Sequence, residues 1–353
     1  MDTYRAIGLM SGTSLDGLDI AYCKFRYEKK RWKFSIEEAT TLKYTNEWLK
    51  RLGGAHNLSA LSLLQLDNEY GTYLGNAVKQ FAKDQHIYKI DFVASHGHTI
   101  FHQPEKHFTF QLGKGTAIAS AYRLPVINDF RSLDVALGGQ GAPLVPIGDR
   151  LLFSEYAFCL NLGGIANISY EHKEKRIAFD ICPVNIVLNH LAKALNMEFD
   201  KDGKVAKRGK VDEKLLKQLN ALNYYSNSAP KSIGREWVEE EFLPLIDNSK
   251  ISIENKLATV VEHIAIQITE VCKGKKGKML VTGGGAFNKY LIDRIKKLSG
   301  GVKVIVPDKQ LVNYKEALVF AFLGVLRWRG EVNVLKSVTG ASKNNSGGSI
   351  HSV

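Results

Sequence analysis

Short apolar, β-branched runs alternate with longer amphipathic stretches along most of the chain. The short runs end in glycine or polar residues and are Ala6–Met10, Asp91–Ser95, Leu124–Asn128, Ala157–Asn161, Lys278–Val281 and Val302–Val306. The longer stretches have apolar residues at helical spacing and are Leu63–Phe81, Ile186–Leu195, Leu257–Val271 and Glu316–Trp328. Strand patterns that alternate with helix patterns are typical of α/β architecture. The chain is therefore predicted to be an α/β protein.

Two glycine-turned hairpins suggest a duplication within the chain. Ile7–Phe25 has the pattern of a strand, a Gly/Ser/Thr/Asp turn and a second strand, and Leu160–Ser169 repeats it around Gly163-Gly164. Each hairpin opens an α/β half, so the pattern predicts two similar domains; coincidence is the alternative, because such hairpins are common. A length of 353 residues also suggests two domains, at roughly 150 residues each.

The expected boundaries follow from these halves. Residues 1–133 with about 307–340 form the first predicted domain, and residues 134–306 form the second. The segment Thr339–Val353 is rich in Gly, Ser and Asn, so residues 341–353 are expected to be a flexible tail.

Charge and cysteine content narrow the function classes. Lys and Arg total 48 against 36 Asp and Glu, a formal charge of +12 that favours anionic partners. The basic clusters at 28–33, 201–210 and 273–278 lack interleaved aromatic residues, which favours solvated loops over nucleic-acid binding. No apolar run reaches the ~18 residues of a membrane helix, and Met1–Thr13 lacks the apolar stretch of a secretory signal. The four cysteines form no CxxC pair, which favours a reducing cytoplasm.

Two glycine-rich turns are candidate nucleotide-binding segments. In Gly12-Thr13-Ser14-Leu15-Asp16-Gly17, glycines let the backbone approach an anion, and hydroxyl and N–H groups donate to phosphate oxygens. Asp16 and Asp19 are suited to hold a hydrated magnesium ion there. Thr282-Gly283-Gly284-Gly285-Ala286 lies between a strand and a helix, where a flat base or ribose can approach the backbone. Each turn alone is equally explained as an ordinary tight turn, but the pair predicts a nucleotide in an interdomain cleft.

Three charged residues outside these turns are candidates for chemistry. Asp180 closes an apolar strand, where a carboxylate faces bound ligand and can act as general base or metal ligand, or caps the next helix. Arg131 suits bidentate binding of a carboxylate or phosphate, or pairs structurally with Asp129 or Asp134. Glu316 opens the last long helix, and either faces the site or favours the helix N-terminus electrostatically.

His96, His98 and His102 form an H-x-H-x-x-x-H cluster. Strand spacing places His96 and His98 on one face, so a zinc site is one interpretation. That segment contains no Asp or Glu ligand, which favours polar lining of a substrate pocket or hydrogen-bonded histidines.

Taken in order, these motifs resemble those of the anhydro-N-acetylmuramic acid kinases of bacterial cell-wall recycling, in the actin/hexokinase/Hsp70-like superfamily. The resemblance runs from Gly8 to about Ala341, through Met10–Asp19, Ser95–Ile100, Asp129–Arg131, Gly138–Pro146, Asn161–Ile168, Phe179–Asp180, Gly283–Ala286 and Thr339–Ala341. It implies two similar actin/hexokinase-like (ribonuclease H-like) domains flanking a nucleotide-binding cleft.

Three segments depart from that family's pattern. The family commonly has Asp-Thr-Gly-Pro-Gly-Asn where this chain has Asp180-Ile181-Cys182-Pro183-Val184-Asn185, so Asp180 is retained and both flexible glycines are absent. It commonly has His-Gly-Gln-Thr, against His98 here, and an acidic residue after Gln-Ile-Gly, against Lys114.

The resemblance implies that ATP phosphorylates O6 of 1,6-anhydro-N-acetylmuramic acid while water opens the anhydro bridge at C1, giving N-acetylmuramic acid 6-phosphate. Asp180 would take the proton of the attacking water, and His98, Arg131 and Glu316 would lie in the sugar site. The expected cofactors are ATP and Mg²⁺, with Mg²⁺ near Asp16 or Asp19. No nucleic-acid or membrane partner is expected. The resemblance is compatible with a homodimer. The expected nucleotide-binding residues are Gly12, Thr13, Ser14, Leu15, Asp16, Gly17, Leu18, Asp19, Gly163, Gly164, Gly283, Gly284 and Gly285.

Two other function classes stay open at this point. A non-catalytic nucleotide-switching module like actin or Hsp70 needs only the paired hairpins. A metal-dependent hydrolase would use His96 and His98. The kinase differs from the switching module because it also requires Asp180, Arg131 and Glu316 in the site.

Overall fold

The structure is a computed structural model that describes residues 2–353. Its strands are β1 (Thr3–Ser11), β2 (Leu18–Glu28), β3 (Arg31–Leu42), β4 (Phe92–Gln103), β5 (Phe108–Leu112), β6 (Val126–Asn128), β7 (Phe158–Leu162), β8 (Ile165–His172), β9 (Lys175–Pro183), β10 (Gly277–Thr282), β11 (Val302–Ile305) and β12 (Ser349–His351). Its α-helices are α1 (Asn46–Gly53), α2 (Ala60–Asp84), α3 (Gly115–Tyr122), α4 (Ser132–Ala136), α5 (Val145–Leu152), α6 (Asn185–Lys193), α7 (Lys204–Arg208), α8 (Glu213–Asn220), α9 (Arg235–Trp237), α10 (Leu243–Asp247), α11 (Ile253–Cys272), α12 (Lys289–Leu298), α13 (Lys309–Trp328) and α14 (Lys336–Thr339).

The chain forms two compact units. Unit 1 contains the residues up to Leu152 and Tyr314–Val353, and unit 2 is Phe153–Asn313. The units divide after Leu152 and after Asn313, and not near residues 133 and 307 as expected. Packing explains both differences. Gly148 of α5 lies against Val319 of α13, which keeps the segment after residue 133 in unit 1. Val312 belongs to the apolar core of unit 2.

The two sheets have the same strand order. In unit 1 the order is β3-β2-β1-β4-β6, and in unit 2 it is β9-β8-β7-β10-β11. In each, the first three strands of this order pair antiparallel and the last two run parallel to the third. The long helices occupy equivalent places along the chain, α2 between β3 and β4 and α11 between β9 and β10. The predicted α/β class and the predicted pair of similar domains are confirmed.

The two long helices, α2 and α11, begin with the same kind of N-cap and pack in the same way. The Ser59 side chain accepts a hydrogen bond from the Ser62 N–H at the start of α2, and Ser252 does the same for α11. Such N-caps satisfy backbone donors that the helix leaves unpaired. Each helix then buries an apolar stripe in the core of its own unit. Among residues 2–353, no helix combines the length and apolar character that crossing a membrane requires.

Helix α13 packs directly on β1 because Gly8 has no side chain. A Cβ atom at Gly8 would overlap the carbonyl oxygen of Ala317. This close approach fixes the position of the neighbouring Glu316 relative to the turn that follows β1.

The C-terminal segment is not the expected flexible tail. Strand β12 pairs antiparallel with β6, with Ile350 opposite Ile127. Further upstream, the buried Asp134 accepts hydrogen bonds from Thr339 Oγ1 at 2.9 Å and Asn345 Nδ2 at 2.8 Å. The small polar residues of this segment form specific internal hydrogen bonds, so their composition was a misleading sign of disorder.

Candidate active site

The glycine-rich turn of unit 1 joins β1 to β2, as predicted. The Leu15 N–H donates to the Gly12 carbonyl at 3.2 Å, which closes the turn. The side chains of Thr13, Ser14 and Asp16 are exposed. The hydroxyl groups of Thr13 and Ser14 are therefore available to an anion, as nucleotide binding requires.

Asp19 lies at the start of β2, partly buried. Thr41 Oγ1 donates to its Oδ1 at 2.6 Å. Burial raises the pKa of Asp19, the Thr41 hydrogen bond opposes that rise, and the charge of Asp16 adds to it. A partly desolvated carboxylate beside a second one favours a nearby cation. Mg²⁺ needs only one or two protein carboxylates when water and phosphate supply the other ligands, so Asp16 and Asp19 fit it.

Glu316 lies inside α13, and the expectation that it opens the helix is wrong. The helix begins at Lys309, and Asp308 Oδ1 accepts the Leu311 N–H at 2.8 Å near its start. Burial raises the pKa of Glu316, while the charges of Lys315 and Arg131 lower it and that of Asp19 raises it. Glu316 therefore does not serve to stabilise the N-terminus of α13. Glu316, Asp19 and Arg131 share one electrostatic neighbourhood of unit 1.

Arg131 is held by neutral partners. Its Nε and Nη2 donate to Nε2 of His96, and its Nη1 donates to the Gly141 carbonyl at 2.5 Å. The carboxylates suggested as structural partners bond elsewhere: Asp129 accepts from Ser132, and Asp134 accepts from the Gly141 N–H.

Arg131 forms no ion pair with any residue of 2–353. Burial lowers its pKa to about 10, so the guanidinium remains charged at neutral pH. A half-buried cation of this kind is suited to an anionic ligand, a carboxylate above all.

His98 is part of a buried hydrogen-bond chain. Tyr44 Oη donates to Ser11 Oγ at 2.7 Å and bonds the Tyr70 hydroxyl at 2.7 Å. Ser11 Oγ in turn lies 2.8 Å from Nδ1 of His98. Since Ser11 accepts the Tyr44 proton, we expect its own hydroxyl proton to point at His98 Nδ1 and the His98 proton to lie on Nε2. Burial lowers the pKa of His98 to about 4, so the ring is neutral at physiological pH.

The histidine cluster is not arranged as a metal centre. Both ring nitrogens of His96 are engaged, Nδ1 with the Gly97 carbonyl at 2.9 Å and Nε2 with Arg131. His102 bonds Thr109 instead. Within the part of the chain that the structure describes, no three His, Cys, Asp or Glu side chains form a metal-binding group.

Asp180 of unit 2 lies within β9 at a β-bulge. Asn167 pairs with Asp180 and Ala166 with Cys182, so Ile181 is the extra residue. The expectation that Asp180 ends its strand is therefore wrong, because the bulge lets β9 continue to Pro183. Since α6 begins only at Asn185, Asp180 does not cap it.

Within the described chain, one of the two carboxylate oxygens of Asp180 is hydrogen-bonded and the other is not. The Ile233 N–H donates to its Oδ2 at 3.0 Å, while Oδ1 has no hydrogen-bond partner among residues 2–353. Burial raises the pKa of Asp180, and the Ile233 hydrogen bond opposes that rise. A carboxylate with one free oxygen and a raised pKa is suited to accept a proton.

The glycine turns of unit 2 lie together. Val184 and Asn185 N–H groups donate to the Gly164 and Gly163 carbonyls at 2.8 and 3.2 Å. Gly283 has φ of +81°, and a Cβ there would approach Asn161 Oδ1 within 2.5 Å, so only glycine fits. The predicted strand–glycine turn–helix order is confirmed, and Asn288 caps α12 by accepting the Leu291 N–H at 3.0 Å.

Sequence reasoning missed the groups that hold the candidate residues. Tyr224 and Ile233 contact Asp180, and Tyr44 and Tyr70 lead to His98. None of them belongs to a motif with recognisable chemistry. The adjacent aromatic residues Tyr224 and Tyr225 were the one available signal, and they equally indicate an ordinary core.

Comparisons with known proteins agree with the motifs. Among solved structures, the activator of the 2-hydroxyisocaproyl-CoA dehydratase of Clostridium difficile matches with a TM-score of 0.44 and 13% identity, covering 92% of this chain and 97% of that chain. A protein named anhydro-N-acetylmuramic acid kinase from Shewanella sediminis is 35% identical, over 99% of both chains. Another of that name from Shewanella sp. strain ANA-3 is 36% identical, over 96% of this chain and 95% of its own. The family model for anhydro-N-acetylmuramic acid kinase matches residues 4–353. This chain belongs to the anhydro-N-acetylmuramic acid kinase family.

Proposed function

We propose that this protein is an ATP-dependent sugar kinase of peptidoglycan recycling. Its substrate is 1,6-anhydro-N-acetylmuramic acid, which it phosphorylates at O6 while water opens the anhydro bridge, and its product is N-acetylmuramic acid 6-phosphate. The observation that carries the proposal is Asp180, a carboxylate with one oxygen bound to a backbone N–H and the other oxygen free, in a chain of this family.

Asp180 is the general base. It takes a proton from the water whose oxygen bonds to C1. The C1–O6 bond breaks, O6 bonds to the γ-phosphorus, and the bond from that phosphorus to the ADP oxygen breaks. The raised pKa supports this role, because a general base works best when its pKa approaches the working pH.

Arg131 binds the lactyl carboxylate of the sugar. It is charged, forms no ion pair within residues 2–353, and is oriented by His96 and Gly141. Glu316 and His98 complete the sugar site as hydrogen-bonding groups. The protonated Nε2 of His98 is a donor and suits a sugar oxygen.

ATP is the phosphoryl donor, and each unit contributes candidate glycine-rich turns for its binding. The Gly12–Gly17 turn binds phosphate oxygens through its hydroxyl and backbone N–H groups, and Gly163, Gly164 and Gly283–Gly285 accommodate the nucleoside. Asp16 and Asp19 hold Mg²⁺, which neutralises phosphate charge when bound. The protein works in the cytoplasm, and its four buried cysteines form no disulfide within residues 2–353, which is consistent with a reducing compartment.

A phosphoryl-transfer assay with ATP tests the proposal. Purified protein should phosphorylate 1,6-anhydro-N-acetylmuramic acid, and ordinary N-acetylmuramic acid serves as the comparison substrate. In ¹⁸O-labelled water the label should appear at C1 of the product. Label in the phosphate attached to the sugar would contradict the mechanism, and no turnover of the anhydro sugar would contradict the function.

A further inference from the structure

One loop of unit 2 supplies the hydrogen bonds that surround Asp180. Tyr224 Oη donates to the Asp180 carbonyl at 2.6 Å. The Asp180 N–H donates to the Lys231 carbonyl at 3.1 Å. The Ile233 N–H donates to Asp180 Oδ2 at 3.0 Å. The segment Tyr224–Ile233, hereafter the clamp loop, therefore contacts the backbone of Asp180 on both sides and one oxygen of its carboxylate.

The clamp loop is closed on itself by Lys231. Its ammonium group donates to the Tyr224 carbonyl at 3.1 Å and lies 4.5 Å from the centre of the Tyr224 ring. Tyr224 and Ile233, at the two ends of the loop, are both buried. The two groups that contact Asp180 most closely are thus tied to each other as well as to the core.

These contacts restrict the carboxylate to one orientation. With Oδ2 bound to the Ile233 N–H, rotation about the Cβ–Cγ bond would break a hydrogen bond in a partly buried place. Only Oδ1 is left without a partner in the described chain. The backbone beneath it cannot move independently either, since its N–H and C=O groups are both bound by the clamp loop.

The sequence around Asp180 makes this loop important. Positions 182 and 184, just after the bulge, are Cys and Val. Cys182 and Val184 are fully buried, so the chain on the C-terminal side of the bulge is packed in the core. The orientation of Asp180 is consequently set by the clamp loop on its other side.

We propose that Tyr224 and the Ile233 amide are positioning groups of the general base, which hold Asp180 so that Oδ1 alone faces the attacking water. This inference rests on the proposed kinase function. The ionisable neighbours are Tyr224, Cys182 and Lys231. Burial raises the pKa of Tyr224 and of Cys182, and it lowers that of Lys231.

Removal of one hydroxyl group tests the proposed role of the Tyr224 side chain. Tyr224→Phe should lower kcat for the anhydro sugar at least tenfold and change the KM for ATP less than twofold. The matched control is Tyr225→Phe, which removes a neighbouring hydroxyl that bonds His263 at 2.9 Å and does not contact Asp180. It should keep kcat within twofold. Equal kcat losses in the two variants would overturn the assignment of Tyr224.

An amide-to-ester replacement in the backbone tests the proposed role of the Ile233 N–H group. The α-hydroxy acid analogue of isoleucine at position 233 removes one N–H group and keeps the side chain. The pKa of Asp180 should rise, because the hydrogen bond that lowers it is lost. The acid limb of the kcat–pH profile should therefore move to higher pH. The same replacement at Ser228 is the control, because neither the Ser228 N–H nor the Asn227 carbonyl, which would become an ester carbonyl, has a hydrogen-bond partner within residues 2–353.

A direct titration separates this inference from the function itself. The ¹³C resonance of the Asp180 carboxyl, assigned by its loss in Asp180→Asn, reports the pKa without turnover. An unshifted titration and unchanged kcat in the Ile233 ester would overturn the positioning role and leave the kinase function standing. Failure of the unmodified protein to turn over the anhydro sugar would remove the function, and the inference with it.

Discussion

The guanidinium of Arg131 donates two hydrogen bonds to a single atom, Nε2 of His96, at 3.2 Å from Nε and 2.8 Å from Nη2. Nε2 must therefore be unprotonated, and the His96 proton is on Nδ1, which donates to the Gly97 carbonyl at 2.9 Å. Burial and the Arg131 charge hold the pKa of His96 well below its usual range. His96 therefore stays neutral near pH 7 and keeps Arg131 in one orientation.

Arg131→Ala should raise the KM for the anhydro sugar much more than the KM for ATP. A charge-assisted hydrogen bond contributes about 1.5–3 kcal/mol, which corresponds to roughly a 10- to 100-fold rise. His96→Ala should act in the same direction with a smaller effect, because it frees Arg131 without removing it. Steady-state kinetics with each substrate varied in turn measures the split. Equal changes in both KM values would remove Arg131 from the sugar site.

Asp180→Asn keeps the shape of the side chain and cannot accept the proton. Loss of a general base typically lowers kcat by about 10²–10⁴-fold. ATP affinity, measured by calorimetry, should change by less than about tenfold, or ~1.4 kcal/mol. Substantial turnover by the Asn variant would refute the general-base role.

The stability of the fold should fall on acidification, partly through His98. Its pKa is about 4 in the folded protein, against about 6.5 in an unfolded chain. The unfolded state therefore binds the proton first as pH falls, and stability is lost between pH 6.5 and 4. The loss from this residue is of order 3 kcal/mol.

His98→Gln should make the unfolding free energy less sensitive to pH across that window. Urea denaturation at several pH values between 7 and 4 measures the difference. His96 and His263 are also buried with lowered pKa, so both proteins retain part of the dependence. Parallel curves for the two proteins would show that His98 does not contribute.

The hydrogen-bond chain that ends at His98 should fix its tautomer. With Ser11 donating to Nδ1, the proton is expected on Nε2, and ¹⁵N NMR of labelled histidine distinguishes the two nitrogens. Ser11→Ala removes the donor and should produce a mixture of tautomers, whereas Ser14→Ala, at an exposed position in the adjacent turn, should not. A protonated Nδ1 in the unmodified protein would contradict the direction of the chain.

Gly8→Ala should destabilise unit 1 because its Cβ would overlap the Ala317 carbonyl. Overpacking of this kind costs about 1–3 kcal/mol. Gly53→Ala is the control, since a Cβ there would meet only Leu15 Cδ1 at 3.6 Å, an ordinary contact. Thermal unfolding compares the two, and similar melting temperatures would show that α13 can shift away from β1.

Local periodicity was enough to predict the repeated hairpins, the strands β1, β4, β6, β7, β10 and β11 and the helices α2, α6, α11 and α13. It did not predict β3, β5 or most of the short helices. The apolar stripe of α11 and the glycine pair at Gly163-Gly164 are short-range patterns, so the sequence displays them directly. Position along the chain and residue type made Asp180, Arg131 and Glu316 candidates, and the resemblance to a kinase family then implied a role for each. Where a residue's local structure follows from its immediate neighbours, sequence reasoning was sufficient.

The contacts that were missed join residues distant in the chain. Tyr224 and Ile233 reach Asp180 across 44 and 53 residues, and no local pattern records such a pairing. The β-bulge at Ile181 also depended on partners outside the local window. The start of α13 at Lys309 was missed although a local signal exists, since Asp308 accepts the Leu311 N–H. The tail was misjudged for the same reason, because its polar residues bond Asp134 across 205 and 211 residues.

The pairing of β12 with β6 has a consequence for synthesis of the chain on the ribosome. Unit 2 is one continuous segment and can fold as soon as it has emerged. Unit 1 needs residues 349–351 to cover the edge of its sheet. After Leu152 has been added, the β6 edge stays uncovered for roughly 10–40 s, because the ribosome adds about 5–20 residues per second. During this interval β6 presents unpaired backbone groups, the kind of surface on which nascent chains aggregate and which chaperones protect.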